Sequence, residues 1–161
     1  MNFDLTLVLI ALATVVNGLL AGGSLDKALV QLPARKRMGI VGFAAFSRAN
    51  DLGNGLVVYP VAGILAALST LAAAISAYFQ GAAPEQAWPL YVAALLAVLH
   101  SFTTARAAPN MLSLRNAGDD GALLTKTLER FTAWHNVRAV LQVLNFVMLV
   151  WALVTYVTMH H

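Results

Sequence analysis

Cysteine is absent, so the chain has no disulfide framework, no thiolate metal site and no thiol nucleophile. Charge is almost as scarce: Asp, Glu, Lys and Arg supply 11% of the 161 residues, whereas 60% are hydrophobic. That balance excludes an ordinary water-soluble domain, because the uncharged stretches are too long for the remaining chain to bury. Internal repeats, low-complexity tracts and linker-like segments are also missing, which leaves one domain spanning residues 1–161.

The few charges are placed with a pattern. All ten Lys and Arg residues fall within residues 27–48 and 106–138. Between charged positions run four uncharged stretches, residues 5–25, 52–84, 86–105 and 139–161. Each can cross a hydrocarbon core, which takes about 20 helical residues. The expected fold is all-α: an integral membrane four-helix bundle running up-down-up-down, with helices at about 5–24, 52–79, 89–108 and 128–158.

The net charge of +3 sits at the ends of apolar runs, so it points to membrane orientation and excludes a nucleic-acid partner. The opposite ends carry Asp4 and Glu85 without Lys or Arg. This asymmetry predicts a bacterial inner-membrane protein with both termini periplasmic and both basic segments cytoplasmic. The first run lacks a basic lead and a cleavage pattern, and is expected to remain as a helix.

Between the first two spans, residues 26–50 carry Pro33 as a break and then Arg35, Lys36 and Arg37 ahead of Met38, Ile40, Val41, Phe43 and Phe46. The composition fits a short interfacial helix or an extension of the second span. In the first span Gly18 and Gly22 have the spacing of close helix packing. In the second, Gly55, Tyr59, Ala62, Ala66, Ser69, Ala73 and Ser76 form a seam of mostly small residues, and Pro60 is placed to kink it. That seam is long enough to serve contacts within the bundle and between protomers of a homo-oligomer.

Polar residues inside the spans mark a candidate site. His135, Arg138, Gln142 and Asn145 are spaced by three, four and three, so one helical face carries all of them. Facing lipid, that stripe would lack partners, so it must face the interior. Asn17 lies nine residues from Asp26, Tyr59 eight from Asp51 and His100 six from Arg106. At about 1.5 Å per residue these depths are roughly 9–14 Å. An antiparallel bundle therefore gathers Asn17, Tyr59, His100, His135, Arg138 and Gln142 into one inner-leaflet pocket.

Arg138 cannot lose its charge and needs an acid, carbonyls or an anionic ligand; Asp26 and Asp51 are the nearest acids in sequence. Asn17 and Gln142 are candidate substrate contacts; for them and for Asn145 the plain alternative is a hydrogen-bond network that fixes helix register. His100 and His135 could ligate one haem b from opposite sides. They could hold a copper or iron ion with Tyr59 or Asp51. Either could also act as a cofactor-free base on a lipophilic substrate, with Arg138 and Tyr59 stabilising the resulting anion. His160 and His161 are given no role.

The order of features resembles the anthrone oxygenase-like family of small four-helix membrane proteins. The resemblance rests on Pro109 and Asn110 closing one helix and on the opening of the last, where Arg130, Phe131, Trp134, His135, Asn136 and Arg138 follow in turn. It implies oxidation of an anthrone-like carbon acid to a quinone by dioxygen. It carries His135 and Arg138 over as catalytic residues, and Asn110 and Asn136 as substrate contacts. The interior is dominated by Ala, Leu and Val, which favours a smaller phenol or quinone. Two further classes stand beside this oxidoreductase reading. One is a b-type haem electron carrier; the other is a non-catalytic module binding a lipid, an anion or a partner through Arg35–Arg37, Arg115 and Lys126.

Overall fold

The computed structural model describes residues 4–159. Helix α1 covers Leu5–Asp26, α2 Leu32–Asn50, α3 Gly55–Phe79, α4 Pro84–Leu112 and α5 Gly121–Met159. Four helical segments among the described residues are long and apolar enough to span a membrane, and the chain is an integral membrane four-helix bundle. Helix α1 contacts α3 and α5, and α4 contacts the same two, so the spans close a ring in the order α1, α3, α4, α5. Asp4 and Glu85 mark one end of the bundle, the acidic end; the Lys- and Arg-bearing segments mark the other.

Local chemistry sets the helix ends. Asp4 Oδ1 accepts from the backbone N–H of Thr6 and Leu7 at 2.9 and 3.1 Å, and Asp120 does the same for Ala122 and Leu123. Helix α3 ends on Gly81, whose positive φ of 63° lets the Ala82 N–H close onto the Ala77 carbonyl at 3.0 Å. Pro84 then opens α4, five residues before the expected start at 89.

Pro33 does not break the first basic segment. It sits at the second position of α2, and the backbone meets its missing N–H by widening over Lys27–Gln31 into a π-turn. The break comes at Gly39, where φ is 72° and ψ 167°, a region open almost only to glycine. The second half of α2 can then turn across the basic end as a helix separate from α3, and Phe43, Ala44 and Ser47 become buried.

Helices α4 and α5 run well past the apolar stretches at the basic end. Their projecting turns are held by an apolar cluster in which Phe43 and Ala44 of α2 meet Leu114, Leu124, Leu128 and Phe131. Arg48 locks this cap to the α4–α5 turn: its Nε donates to the Leu114 carbonyl at 2.9 Å and its Nη2 to that of Gly118. At the acidic end a second cluster packs Ile10, Ala73, Leu90, Leu149 and Tyr156, and Trp88 meets Trp151 edge-on at 5.1 Å.

Helix α3 joins the bundle by only half its length. From Ala66 to Ala77 it buries Ala66, Thr70, Ala73, Ala74 and Ala77. Over the ten residues 56–65 nothing is buried. The small-residue seam is thus a packing surface near the acidic end and leans out near the basic end. At comparable positions along α1, α4 and α5, the residues Ser24, His100, Thr103 and His135 are buried.

Candidate functional site

Two polar tiers cross the bundle. The first centres on Asn17, which is fully buried. Its amide donates to the Ala13 carbonyl at 2.8 Å and to Thr70 Oγ1 on α3 at 3.0 Å. Its Oδ1 accepts from Gln142 Nε2 and Asn145 Nδ2 on α5, both at 2.9 Å. Two donors and two acceptor sites are all an Asn side chain has, and all are used. Asn17 thereby ties three helices in register. Thr70 is a partner that the seam spacing passes over, since it lies one position from Ser69.

The second tier lies about two turns nearer the basic end. His135 Nε2 lies 3.2 Å from the Ser24 carbonyl of α1, and Arg138 Nη2 lies 2.8 Å from His135 Nδ1. A carbonyl only accepts, so Nε2 carries the proton and Nδ1 offers its lone pair to the guanidinium. Phe131 stacks on the same ring at 5.5 Å. Both nitrogens of His135 are therefore engaged within the protein.

His100 enters from α4. Its Nδ1 lies 3.3 Å from the Arg138 carbonyl, which fixes the proton on Nδ1 and leaves the Nε2 lone pair without a partner among the described residues. The hydroxyls of Thr103 and Thr104 donate to the His100 carbonyl at 2.8 and 2.9 Å and hold this turn. Arg138 thus touches both histidines, one through its side chain and the other through its backbone.

Around this tier sits a charge pair that residue order does not reveal. Lys27 Nζ and Asp51 Oδ2 are 2.5 Å apart, and both side chains are buried. Lys27 follows Asn17, Ala21 and Ser24 at spacings of four, three and three, so it belongs to the interior face of α1 and of the π-turn. Asp26, the other acid considered for Arg138, is exposed and accepts from Gln31 at 2.5 Å. Neither carboxylate pairs with Arg138, although Asp51 and Tyr59 lie within electrostatic reach of it. Arg138 Nε is buried and without a partner.

Tyr59 stands on the leaning half of α3. It is 44% exposed, beside Asn50, so it forms a rim to the site. Its ring folds back over Gly55, where a β-carbon would lie 2.8 Å from the ring. Asn110 and Asn136 are not brought to the histidines. Asn110 returns its amide to the Arg106 carbonyl at 2.9 Å near the far end of α4. Asn136 faces a separate groove of about 380 Å³ with Leu25, Leu29 and Val140.

The donor set fits poorly with a metal held by both histidines. Haem or copper ligation needs an imidazole lone pair, and that of His135 is taken by a cationic guanidinium that the metal would have to displace. No group of three His, Cys, Asp or Glu residues converges among the described residues. What the arrangement can do is accept a proton at His100 Nε2 and stabilise negative charge with the Arg138 guanidinium, which lies within electrostatic reach of that ring. Comparison with protein-family models, characterised proteins and solved structures finds no match.

Proposed function

We propose that the protein is a membrane oxygenase acting on a lipophilic anthrone or phenol, as the likeness of its fourth span to the anthrone oxygenase-like family implies. The observation that carries this reading is the pairing of an unengaged imidazole nitrogen, His100 Nε2, with a guanidinium that lacks a carboxylate. His100 takes a proton from the carbon acid, and Arg138 and Tyr59 stabilise the enolate or phenolate. Dioxygen is the oxidant. One oxygen atom ends in the new carbonyl and the other in water, so that R2CH2 and O2 give R2CO and H2O.

In this reading His135 is a positioning residue. Its Nδ1 holds the guanidinium, and its Nε2–H is anchored on the Ser24 carbonyl. The leaning half of α3, with Tyr59 half exposed, supports substrate access from the lipid. The placement of Lys and Arg supports a cytoplasmic basic end and periplasmic termini in a bacterial inner membrane.

The test is oxygen uptake with anthrone by protein in lipid nanodiscs, followed by quinone absorbance. Wild type should exceed autoxidation, and His100→Ala should lose on the order of 10²–10⁴ of the rate. Wild-type uptake equal to protein-free nanodiscs, for anthrone and for simpler phenols and quinols alike, rejects the oxygenase.

A further inference from the structure

The buried charges beside the histidines do not balance. Lys27 and Asp51 neutralise each other at 2.5 Å, and Asp26 lies outside, bonded to Gln31. Arg138 is left as a partly buried cation, its Nε fully enclosed, whose one side-chain partner among the described residues is a neutral imidazole. A guanidinium cannot shed its proton, and an isolated charge in a low-dielectric interior is costly. Of its donors, only Nη2 is engaged; Nε and Nη1 have no partner among the described residues. That leaves one side of a planar fork open, the geometry that matches a carboxylate or phosphate.

The surroundings say what the rest of such a ligand must be. Residues 56–65 of α3 bury none of their side chains, and Val57, Val58 and Val61 present an exposed apolar face there. A free inorganic ion would have to reach Arg138 from the lipid side past apolar walls, or through the cap built by α2. An amphiphile could lay its body against that apolar face and place only its head inside.

We propose that the resting site binds an oxyanion head, a carboxylate or phosphate monoanion, borne on an apolar body and seated on the open side of the Arg138 guanidinium. This rests on the oxygenase reading for its place in the reaction, where it makes the substrate a lipophilic aryl acid. The binding itself stands on the charge imbalance alone.

Thermal unfolding in a neutral detergent tests it, with 1-naphthoate, its methyl ester and inorganic phosphate as probes. At about 100 times its dissociation constant, naphthoate should raise the Tm by about 5 °C while the ester does not. The shift should be lost in Arg138→Gln and partly kept in Arg138→Lys, which retains charge without the fork. A shift with naphthoate alone supports the amphiphile, and one of equal size with phosphate overturns the apolar body. Equal shifts with naphthoate and ester, or a naphthoate shift that persists in Arg138→Gln, overturn the anion site. The naphthoate and ester comparison uses only wild-type protein, so it stands even if the variants fail to fold. An Arg138-dependent naphthoate shift without oxygen uptake leaves the inference and removes the oxygenase; uptake without the shift does the reverse.

Discussion

Arg138 holds both interior imidazoles at once: its Nη2 donates to His135 Nδ1 at 2.8 Å, and its carbonyl accepts from His100 Nδ1 at 3.3 Å. The two histidines are therefore not equivalent. His135 is closed on both nitrogens, and His100 is open on one. Replacing His100 by Ala should lower kcat by about 10²–10⁴ with KM little changed, because a proton acceptor is lost from the transition state. Replacing His135 by Ala should cost about tenfold in rate and about 1–3 kcal/mol in stability, since the Ser24 carbonyl and the guanidinium both lose a buried partner. Steady-state kinetics and Tm measured on both variants separate these outcomes. A larger rate loss at His135 reverses the assignment of the base.

Asn17 and Asn145 should differ as much, although they share a bond. Asn17 bonds the Ala66 carbonyl, Thr70, Gln142 and Asn145 across helices, whereas Asn145 makes one interhelical bond and its Oδ1 is buried without a partner. Interhelical hydrogen bonds in membranes are worth about 0.6 kcal/mol each. Asn17→Leu removes four and strands their partners, for a loss of about 2 kcal/mol. Asn145→Leu also removes an unsatisfied oxygen and should be close to neutral. Unfolding of the two variants in the same detergent gives the comparison, and equal losses would show that Asn17 is not the hub.

Periodicity and charge placement made the bundle legible, because a lipid solvent demands long uncharged helices and forces the His135, Arg138, Gln142 and Asn145 stripe inward. Three of those four residues are at most 1% exposed, with only Arg138 partly open. Partner choice was not legible. Asp51 is spoken for by Lys27, and which of the basic residues would reach it is set by how the helices meet at the basic end, not by spacing along either one. Depth counting placed Tyr59 with the interior residues, but the lean of α3 is a tertiary effect and leaves that side chain at the rim. The helix ends moved for the same kind of reason: α4 and α5 continue into the basic segments because α2 packs on them there.

The glycines of α1 offer a test of that distinction between spacing and packing. Gly18 and Gly22 share the small-residue spacing, yet only Gly18 meets a neighbour. A β-carbon there would lie 2.9 Å from the Phe146 ring, whereas Gly22 has nothing within 4 Å. Gly18→Ala should destabilise by about 1 kcal/mol as the ring is displaced. Gly22→Ala should stabilise by up to about 1 kcal/mol through helix propensity. Paired Tm measurements decide it, and two shifts of the same sign would contradict the α1–α5 contact described above.

The Lys27–Asp51 pair links stability to the anion site. Breaking a buried ion pair by removing one partner costs about 3–5 kcal/mol, and replacing both by apolar groups recovers most of that. Lys27→Met should thus be strongly destabilising, and Lys27→Met with Asp51→Leu much less so. The ligand responses should run the other way. In Lys27→Met the released Asp51, already in electrostatic reach of Arg138, becomes its counter-ion and competes with an added anion. Naphthoate affinity should fall about tenfold, a change of about 1.4 kcal/mol. In the double variant Arg138 has neither carboxylate nor competitor, and naphthoate should bind at least as tightly as in wild type. Calorimetric titration of the three proteins orders these affinities, and if Lys27→Met binds naphthoate like wild type, the freed Asp51 does not pair with Arg138.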